Sequence, residues 1–241
     1  MPPDAGSVRQ QARRAGLLYV LMMVPAFFAL IYLPGKMTVV GDAAATARRI
    51  GDAVLLYRVG VLCDLLTAVL FFYVAWTLNG LVADTDRRLA ALMVVLVAIA
   101  VAFEMTNVVT MMAPLTYLGG DAFLAPFTIP QREALAYSFL RLRSSGLQVV
   151  NVFWGLWLFP FGLLVRRSGW FPRVLGTLLI AAGVALLVES FVGIVLPAYR
   201  SVVAMPATLV DTLGEVPIAL WLLIVGARPR TPVVAATARS A

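Results

Sequence analysis

The sequence contains no histidine and only one cysteine, Cys63, among its 241 residues. Histidine is the usual ligand of catalytic zinc and of haem, and the usual base of serine and cysteine triads, so the sequence gives no support to these kinds of site. A single cysteine cannot form an intrachain disulfide. We therefore predict no metal ligands and no cofactor, and any chemistry would fall to carboxyl groups, arginines, hydroxyls or a bound group.

Charged residues are also scarce, at 13% of the chain against 62% hydrophobic residues. That proportion is too apolar for an ordinary soluble domain. Basic residues outnumber acidic ones by 19 to 12, but they form short clusters between apolar runs and not a stripe along one soluble face. Clusters of this kind orient membrane helices, so the charge excess argues for a lipid bilayer as the partner and against nucleic acid.

Long apolar runs dominate the remaining sequence, and six of them are long enough to cross a bilayer. They cover residues 16–33, 57–81, 89–114, 145–165, 174–196 and 209–225. Residues 43–50, which follow a good N-cap at Asp42, and residues 131–143 have the spacing of amphipathic helices. The sequence therefore predicts an all-α, polytopic membrane helix bundle with six transmembrane helices and two outer amphipathic helices.

The distribution of charge also predicts the domain organisation. We expect a mobile cytoplasmic N-terminus over residues 1–15, a single six-span membrane domain over 16–227 and a mobile cytoplasmic C-terminus over 228–241. The first apolar run is longer than a signal-peptide core, so we interpret it as a retained helix. Six spans place both termini on one side, and the arginine clusters assign that side to the cytoplasm.

Carboxyl groups lie within four of the predicted spans, as Asp64, Glu104, Glu189 and Glu215. Hydrocarbon tolerates a carboxyl only where the side chain faces a packed interior, a partner or a water-filled cavity. Counting along each helix at about 1.5 Å per residue places the four at a similar level, in a slab roughly 10 Å thick towards the outer side. The pattern predicts an outward-facing intramembrane acidic pocket.

Other polar residues lie near the same level or could reach it. Asn107 follows Glu104 at helical spacing, Asp211 lies one turn above Glu215, and long arginine side chains at outer helix ends can extend inward. The alternative is that these groups only hydrogen-bond between helices, at on the order of 1 kcal/mol each, but four acids at one depth favour a pocket. The candidate binding residues are Asp64, Glu104, Asn107, Asn151, Glu189, Asp211, Glu215, Arg58 and Arg143.

Four blocks of sequence resemble one known family. They are VGDAAATA at 40–47, RVGVLCDLL at 58–66, RSGWFPRVLG at 167–176, and Gly214-Glu215 followed by LWLL at 220–223. Together they are similar to the bacterial membrane family catalogued as domain of unknown function 4386. The resemblance implies a multi-pass protein of the bacterial inner membrane, marks Arg58, Asp64, Glu104 and Glu215 as family-typical positions, and implies no activity. Relatives often carry histidines around the fourth span, where this chain has Arg143 and Trp157, which argues against a metal site here.

Three functions are compatible with this pattern. The first is a small transporter or binding protein whose pocket takes a proton, a cation, or a cationic or amphipathic small molecule. The second is an accessory or structural subunit, whose acids would meet one another or a membrane-protein partner. The third is an intramembrane enzyme that acts on lipids, but Ser190 beside Glu189 has no histidine or nearby lysine to activate it, so the sequence leans away from an enzyme.

Overall fold

The computed structural model describes residues 5–227, which are almost entirely helical and contain no strand. The helices are α1 (Ala5–Phe27), α2 (Leu33–Met37), α3 (Ala43–Asp52), α4 (Val54–Val82), α5 (Arg87–Tyr117), α6 (Ile129–Ser168), α7 (Arg173–Val195) and α8 (Arg200–Ile224). A π-helical turn at Phe28–Tyr32 joins α1 to α2, so the two run on as one rod. The predicted all-α class is confirmed.

Six of the described helical segments are long and apolar enough to cross a membrane. They are Gly6–Met37, Val54–Val82, Arg87–Tyr117, Ile129–Ser168, Arg173–Val195 and Pro197–Ile224. Each of the six predicted runs falls inside one of these segments to within one residue. The chain is therefore a multi-pass membrane protein, and the predicted six-span bundle is confirmed.

The two outer amphipathic segments have different outcomes. Helix α3 forms as a separate helix, and its N-cap Asp42 accepts a 2.8 Å hydrogen bond from the backbone nitrogen of Ala45. Residues 131–143, predicted as a second outer helix, are instead the first part of α6. A capping box between Thr128 and Gln131 starts that helix, and no glycine or proline interrupts residues 131–145. With 40 residues, α6 is about 60 Å long, twice the thickness of the hydrocarbon.

The N-terminal segment also differs from the prediction of a mobile terminus over residues 1–15. From residue 5 onwards it belongs to α1, and Ala12 and Ala15 are fully buried. Arg9 and Arg13 donate hydrogen bonds of 3.3 and 3.0 Å to the carbonyls of Val225 and Ile224, which are orphan acceptors at the end of α8. These bonds fix the start of α1 beside the end of α8. Residues 1–4 and 228–241, also predicted to be mobile, lie outside the described residues.

The long helices form a closed ring in which each packs against two neighbours. Around the ring the order is α1, α4, α5, α6, α7, α8 and back to α1. We call the side that carries the start of α1 and the end of α8 the terminal side; it includes the α4–α5 and α6–α7 turns, which Arg167 and Asp86 join through a 3.6 Å ion pair. The opposite side, which carries α3, is the distal side.

The terminal half of the ring is filled by large side chains. Trp157 of α6 is 1% exposed, stacks on Phe161 with ring centroids 5.3 Å apart, and meets Phe71 of α4 edge-on at 5.1 Å. On the other side of α6, Gly162 faces Gly176 of α7. A Cβ added to either glycine would overlap the backbone carbonyl of the other, so only glycine allows the two helices to approach so closely. The terminal half is thus tightly packed, which leaves the distal half for a cavity.

Candidate functional site

Three adjacent helices of the ring bring two carboxyls and one guanidinium together. Arg143 Nη2 on α6 lies 2.5 Å from Asp64 Oδ2 on α4 and 4.0 Å from Glu104 Oε1 on α5. The three residues are 6%, 1% and 3% exposed, respectively. We call them the charged triad. Since buried charges are tolerated only when they are paired, the arginine is what allows both acids to lie here.

Asn107 completes the surroundings of the triad on α5, one turn beyond Glu104. Its side chain faces the Glu104 carboxyl and is 5% exposed. Across the interface lies Gly146 of α6, where an added Cβ would overlap the Asn107 amide. A glycine one turn after Arg143 therefore provides the space in which this polar side chain is accommodated.

Several polar atoms of this group have no hydrogen-bond partner among the described residues. They are both carboxyl oxygens of Glu104, Nδ2 of Asn107 and Nε of Arg143. Leaving a buried donor or acceptor unsatisfied costs about 1–3 kcal/mol, and native proteins rarely do so without ordered water or a ligand. Donors and acceptors are both present, so water or a polar group of a bound molecule would satisfy them together.

A cavity of about 500 Å³ lies in the distal half, and Arg143 forms part of its wall. This volume falls within the range of about 300–1,000 Å³ that is common for small-molecule sites. Its charged lining consists of Arg141, Arg143 and Arg200; no described carboxyl lines it, because Asp64 and Glu104 lie behind Arg143. The other lining residues are Leu30, Leu33, Pro34, Gly35, Met37, Thr38, Val40, Tyr57, Met111, Tyr137, Leu140, Ser144 and Leu147.

Hydrogen bonds between helices and a loop hold the wall of the cavity in place. The hydroxyl of Tyr57, a residue only 1% exposed, donates to the carbonyl oxygen of Met111 at 2.7 Å, which ties α4 to α5. The backbone nitrogen of Gly41 donates to the Tyr137 hydroxyl at 2.8 Å, which ties the loop before α3 to α6. Leu30, within the π-helical turn of the first span, completes the wall. Such turns are frequent at functional sites.

Arg200, at the start of α8, links the cavity to a second set of polar contacts. Its Nη1 donates to Ser144 Oγ at 3.1 Å. With the amide of Gln148 oriented so that its oxygen faces the guanidinium, that oxygen accepts from Arg200 Nε at 3.3 Å and Nη2 at 2.9 Å. Ser190 of α7 donates to the backbone carbonyl of Gln148 at 2.5 Å. Arg200 is thereby anchored to α6, and through α6 to α7.

The other three candidate acids, Glu189, Asp211 and Glu215, lie in a second group on α7 and α8, next to α1. Asp211 and Glu215 of α8 lie near each other, with Glu189 of α7 close to Asp211 and Tyr19 of α1 facing Glu215. Tyr19 is fully buried, and its hydroxyl makes no hydrogen bond of ordinary geometry with any described residue. Arg200 is the basic residue near Glu189. We call Tyr19, Glu189, Asp211 and Glu215 the α8 acid group.

The candidate residues thus form two separate groups and do not line one common pocket. Asp64, Glu104, Asn107 and Arg143 meet on α4, α5 and α6, whereas Glu189, Asp211 and Glu215 meet on α7 and α8. Arg58 is exposed and takes part in no ion pair of the described residues. Asn151 is buried on α6, 8% exposed, but no hydrogen bond within residues 5–227 joins it to a carboxyl.

Some residues of the site are absent from the sequence-based set. Tyr57, Tyr137 and Arg141 line the cavity, and Tyr19 meets the α8 acids. Tyr19 and Tyr57 carry a usable signal, since each is a polar hydroxyl within a predicted apolar run. For metal chemistry, the part of the chain that the structure describes places no three cysteine or acidic side chains so that they could hold an ion.

The family model described as "Domain of unknown function (DUF4386)" matches residues 14–226, which is most of the chain. The chain belongs to the DUF4386 family. The matched range contains all six spans except the start of the first, together with the whole charged triad and the α8 acid group. No curated protein and no solved structure matches the chain. Inferences about the function of this DUF4386 protein therefore rest on the geometry of its own residues.

Proposed function

We propose that this DUF4386 protein binds a small amphipathic molecule in the distal cavity, as a binding protein or transporter of the bacterial inner membrane. The observation that carries the proposal is the joining of an apolar cavity to the buried charged triad. Eight leucine, methionine, proline and valine side chains offer a wall for a hydrocarbon tail, while Arg143, whose Nε has no acceptor among the described residues, adds a charged group to the same wall. A molecule that is apolar along its length and polar at one end matches both.

The orientation we propose places both termini in the cytoplasm and opens the cavity to the outside. Five arginines lie in or beside the two short turns of the terminal side, and basic residues next to spans favour the cytoplasmic face. These five are Arg87, Arg88, Arg166, Arg167 and Arg173. The cavity lies on the distal side, so its ligand would enter from the outer face of the membrane.

The two other functions have less support from the described residues. An enzyme would need an activated nucleophile, but the Ser190 hydroxyl donates its hydrogen bond to the Gln148 carbonyl, and no hydrogen bond within residues 5–227 joins it to a basic side chain. An accessory subunit would need no cavity of ligand size inside its own ring. The distal cavity therefore favours a binding or transport role over both.

Thiol labelling in intact cells tests the site and its orientation together. The single cysteine allows a clean background, Cys63→Ala, into which Leu140→Cys places a thiol on the cavity wall. A membrane-impermeant thiol reagent added outside should modify this cysteine. Dodecanoate, dodecyltrimethylammonium and dodecanol share one tail length, and at least one of them should slow the modification.

Ser138→Cys is the matched control, because Ser138 lies two residues earlier on α6, is exposed and does not line the cavity. It should react without protection by any of the three compounds. A Leu140→Cys variant that reacts only after the membrane is permeabilised would overturn the proposed orientation. Labelling that none of the three amphiphiles slows would overturn the proposed binding.

A further inference from the structure

The charges that line the cavity all have the same sign. Arg141, Arg143 and Arg200 contribute guanidinium groups, and no described Asp or Glu side chain joins them in the lining. An amphipathic ligand with a cationic head would meet only like charge in this wall. A carboxylate or phosphate head would meet up to three guanidinium groups, whose planar donor geometry suits such oxyanions.

The three arginines differ in how much of their charge is already balanced. Arg143 is paired with Asp64 at 2.5 Å, so its charge is largely satisfied, although its Nε has no acceptor among the described residues. Arg200 lies near Glu189 and uses three of its five N–H groups on Ser144 and Gln148. Arg141 is exposed at the cavity and forms no ion pair with a described residue.

Arg200 is held in place for such a role. Its contacts with Ser144 and Gln148 fix the guanidinium against α6, and Gly193 of α7 leaves room for the Gln148 side chain, because a Cβ there would overlap the amide. A fixed arginine loses little conformational freedom when it binds an anion. Arg200 thus offers preorganised donors, and Arg141 offers an exposed charge that no described carboxylate balances.

We infer that the ligand of the distal cavity is a single-chain amphiphile with an anionic head group, of the carboxylate or phosphate-monoester class, which Arg141 and Arg200 select. This inference rests on the proposed binding function and specifies its substrate class. The tail lies along the apolar wall, and the head group meets the two arginines beside Arg143.

A comparison of head groups at constant tail length tests the inference. In the Leu140→Cys labelling assay, dodecanoate and dodecyl phosphate should protect at concentrations about tenfold or more below those of dodecyltrimethylammonium, since the guanidinium groups form charge-assisted hydrogen bonds with an anionic head group and repel a cationic one. Acetate, which has the head group without the tail, should not protect. Arg141→Gln and Arg200→Gln should each reduce the preference for the anions, and the double variant should abolish it.

Arg132→Gln is the control, because Arg132 lies on α6 outside the cavity lining, and it should keep the full preference. Equal protection by anionic, cationic and neutral amphiphiles would overturn the anion inference and leave the proposed binding intact. The anion inference would also be overturned, with the proposed binding intact, if the cationic amphiphile protected best or if the preference for anions survived in the double variant. An absence of protection by every compound would remove the proposed function as well.

Discussion

Replacing Arg143 by glutamine would leave two buried carboxyls, those of Asp64 and Glu104, without their shared cation. Asp64→Asn removes only one carboxylate, and Arg143 keeps Glu104 at 4.0 Å as a second partner. Glu104→Gln removes the more distant carboxyl and also relieves its repulsion with Asp64. The free energy of unfolding should therefore fall most for Arg143→Gln, less for Asp64→Asn and least for Glu104→Gln.

The distances give the size of these differences. At an effective dielectric constant of about 20, the attraction of unit charges at the observed 2.5 Å between Arg143 and Asp64 is about 7 kcal/mol before desolvation, and the 4.0 Å contact with Glu104 adds less. Because desolvation offsets much of this, breaking a buried pair typically costs about 3–5 kcal/mol. We expect about 5 kcal/mol for Arg143→Gln, about 3 for Asp64→Asn and less than about 1 for Glu104→Gln.

Unfolding of the purified protein in bicelles by titration with dodecyl sulfate measures these values. Arg167→Gln is the matched control, because its 3.6 Å ion pair with Asp86 is 58% and 37% exposed and should be worth less than about 1 kcal/mol. If Arg143→Gln lowers the free energy of unfolding no more than the control does, Arg143 does not stabilise the two buried carboxyls. Equal losses for Asp64→Asn and Glu104→Gln would also contradict the triad, because the 2.5 Å and 4.0 Å contacts would then be equivalent.

Three further predictions use the same assay. Gly146→Ala should lower the free energy of unfolding by about 1–3 kcal/mol through overpacking, whereas Gly51→Ala, with open space around its Cβ, should not; equal effects would contradict the close contact. Tyr57→Phe should cost about 0.5–1.5 kcal/mol for its buried hydrogen bond, and no cost would show that the bond is absent. Asp64→Asn and Glu215→Gln should be additive to within about 0.5 kcal/mol, and a larger deviation would indicate a single coupled acid ring.

Hydrophobic run length was sufficient to predict the six spans. Each run is predominantly apolar over a length that can cross the hydrocarbon, and the N-cap at Asp42 located α3. Residues 131–143, counted as a separate outer helix, continue into the fourth span as one helix, since amphipathic spacing shows which face is polar but not whether the helix stops. A stop needs a glycine, a proline or a cap, and residues 131–145 contain neither glycine nor proline.

The candidate site could be predicted only in part, for a geometric reason. Counting residues gives the depth of a side chain along its helix. Asp64 and Glu104 also lie on the faces of α4 and α5 that point toward Arg143, so both carboxyls contact its guanidinium. Depth does not give the direction in which a side chain points around the ring. Glu189 and Glu215 therefore belong to another group, on α7 and α8. The cavity itself depends on side chains from distant segments, and no local pattern encodes it.

The ends of the chain show a similar limit. Polar residues near the N-terminus, including Arg9 and Arg13, look in sequence like a solvated tail. Their partners are backbone carbonyls of Ile224 and Val225, more than 200 positions away. Interactions of a side chain with a remote helix end carry no sequence signal, because the acceptor is the backbone.

Native mass spectrometry of the protein, extracted in discs of native membrane without detergent, directly tests whether the distal cavity holds an amphiphile. We expect one retained amphiphilic molecule per chain. Leu147→Trp, which fills the cavity, should abolish its retention, whereas Val149→Trp, two residues later on α6 at a position 39% exposed and outside the cavity lining, should not. Absence of a retained molecule, or equal retention in the two variants, would contradict binding in the distal cavity.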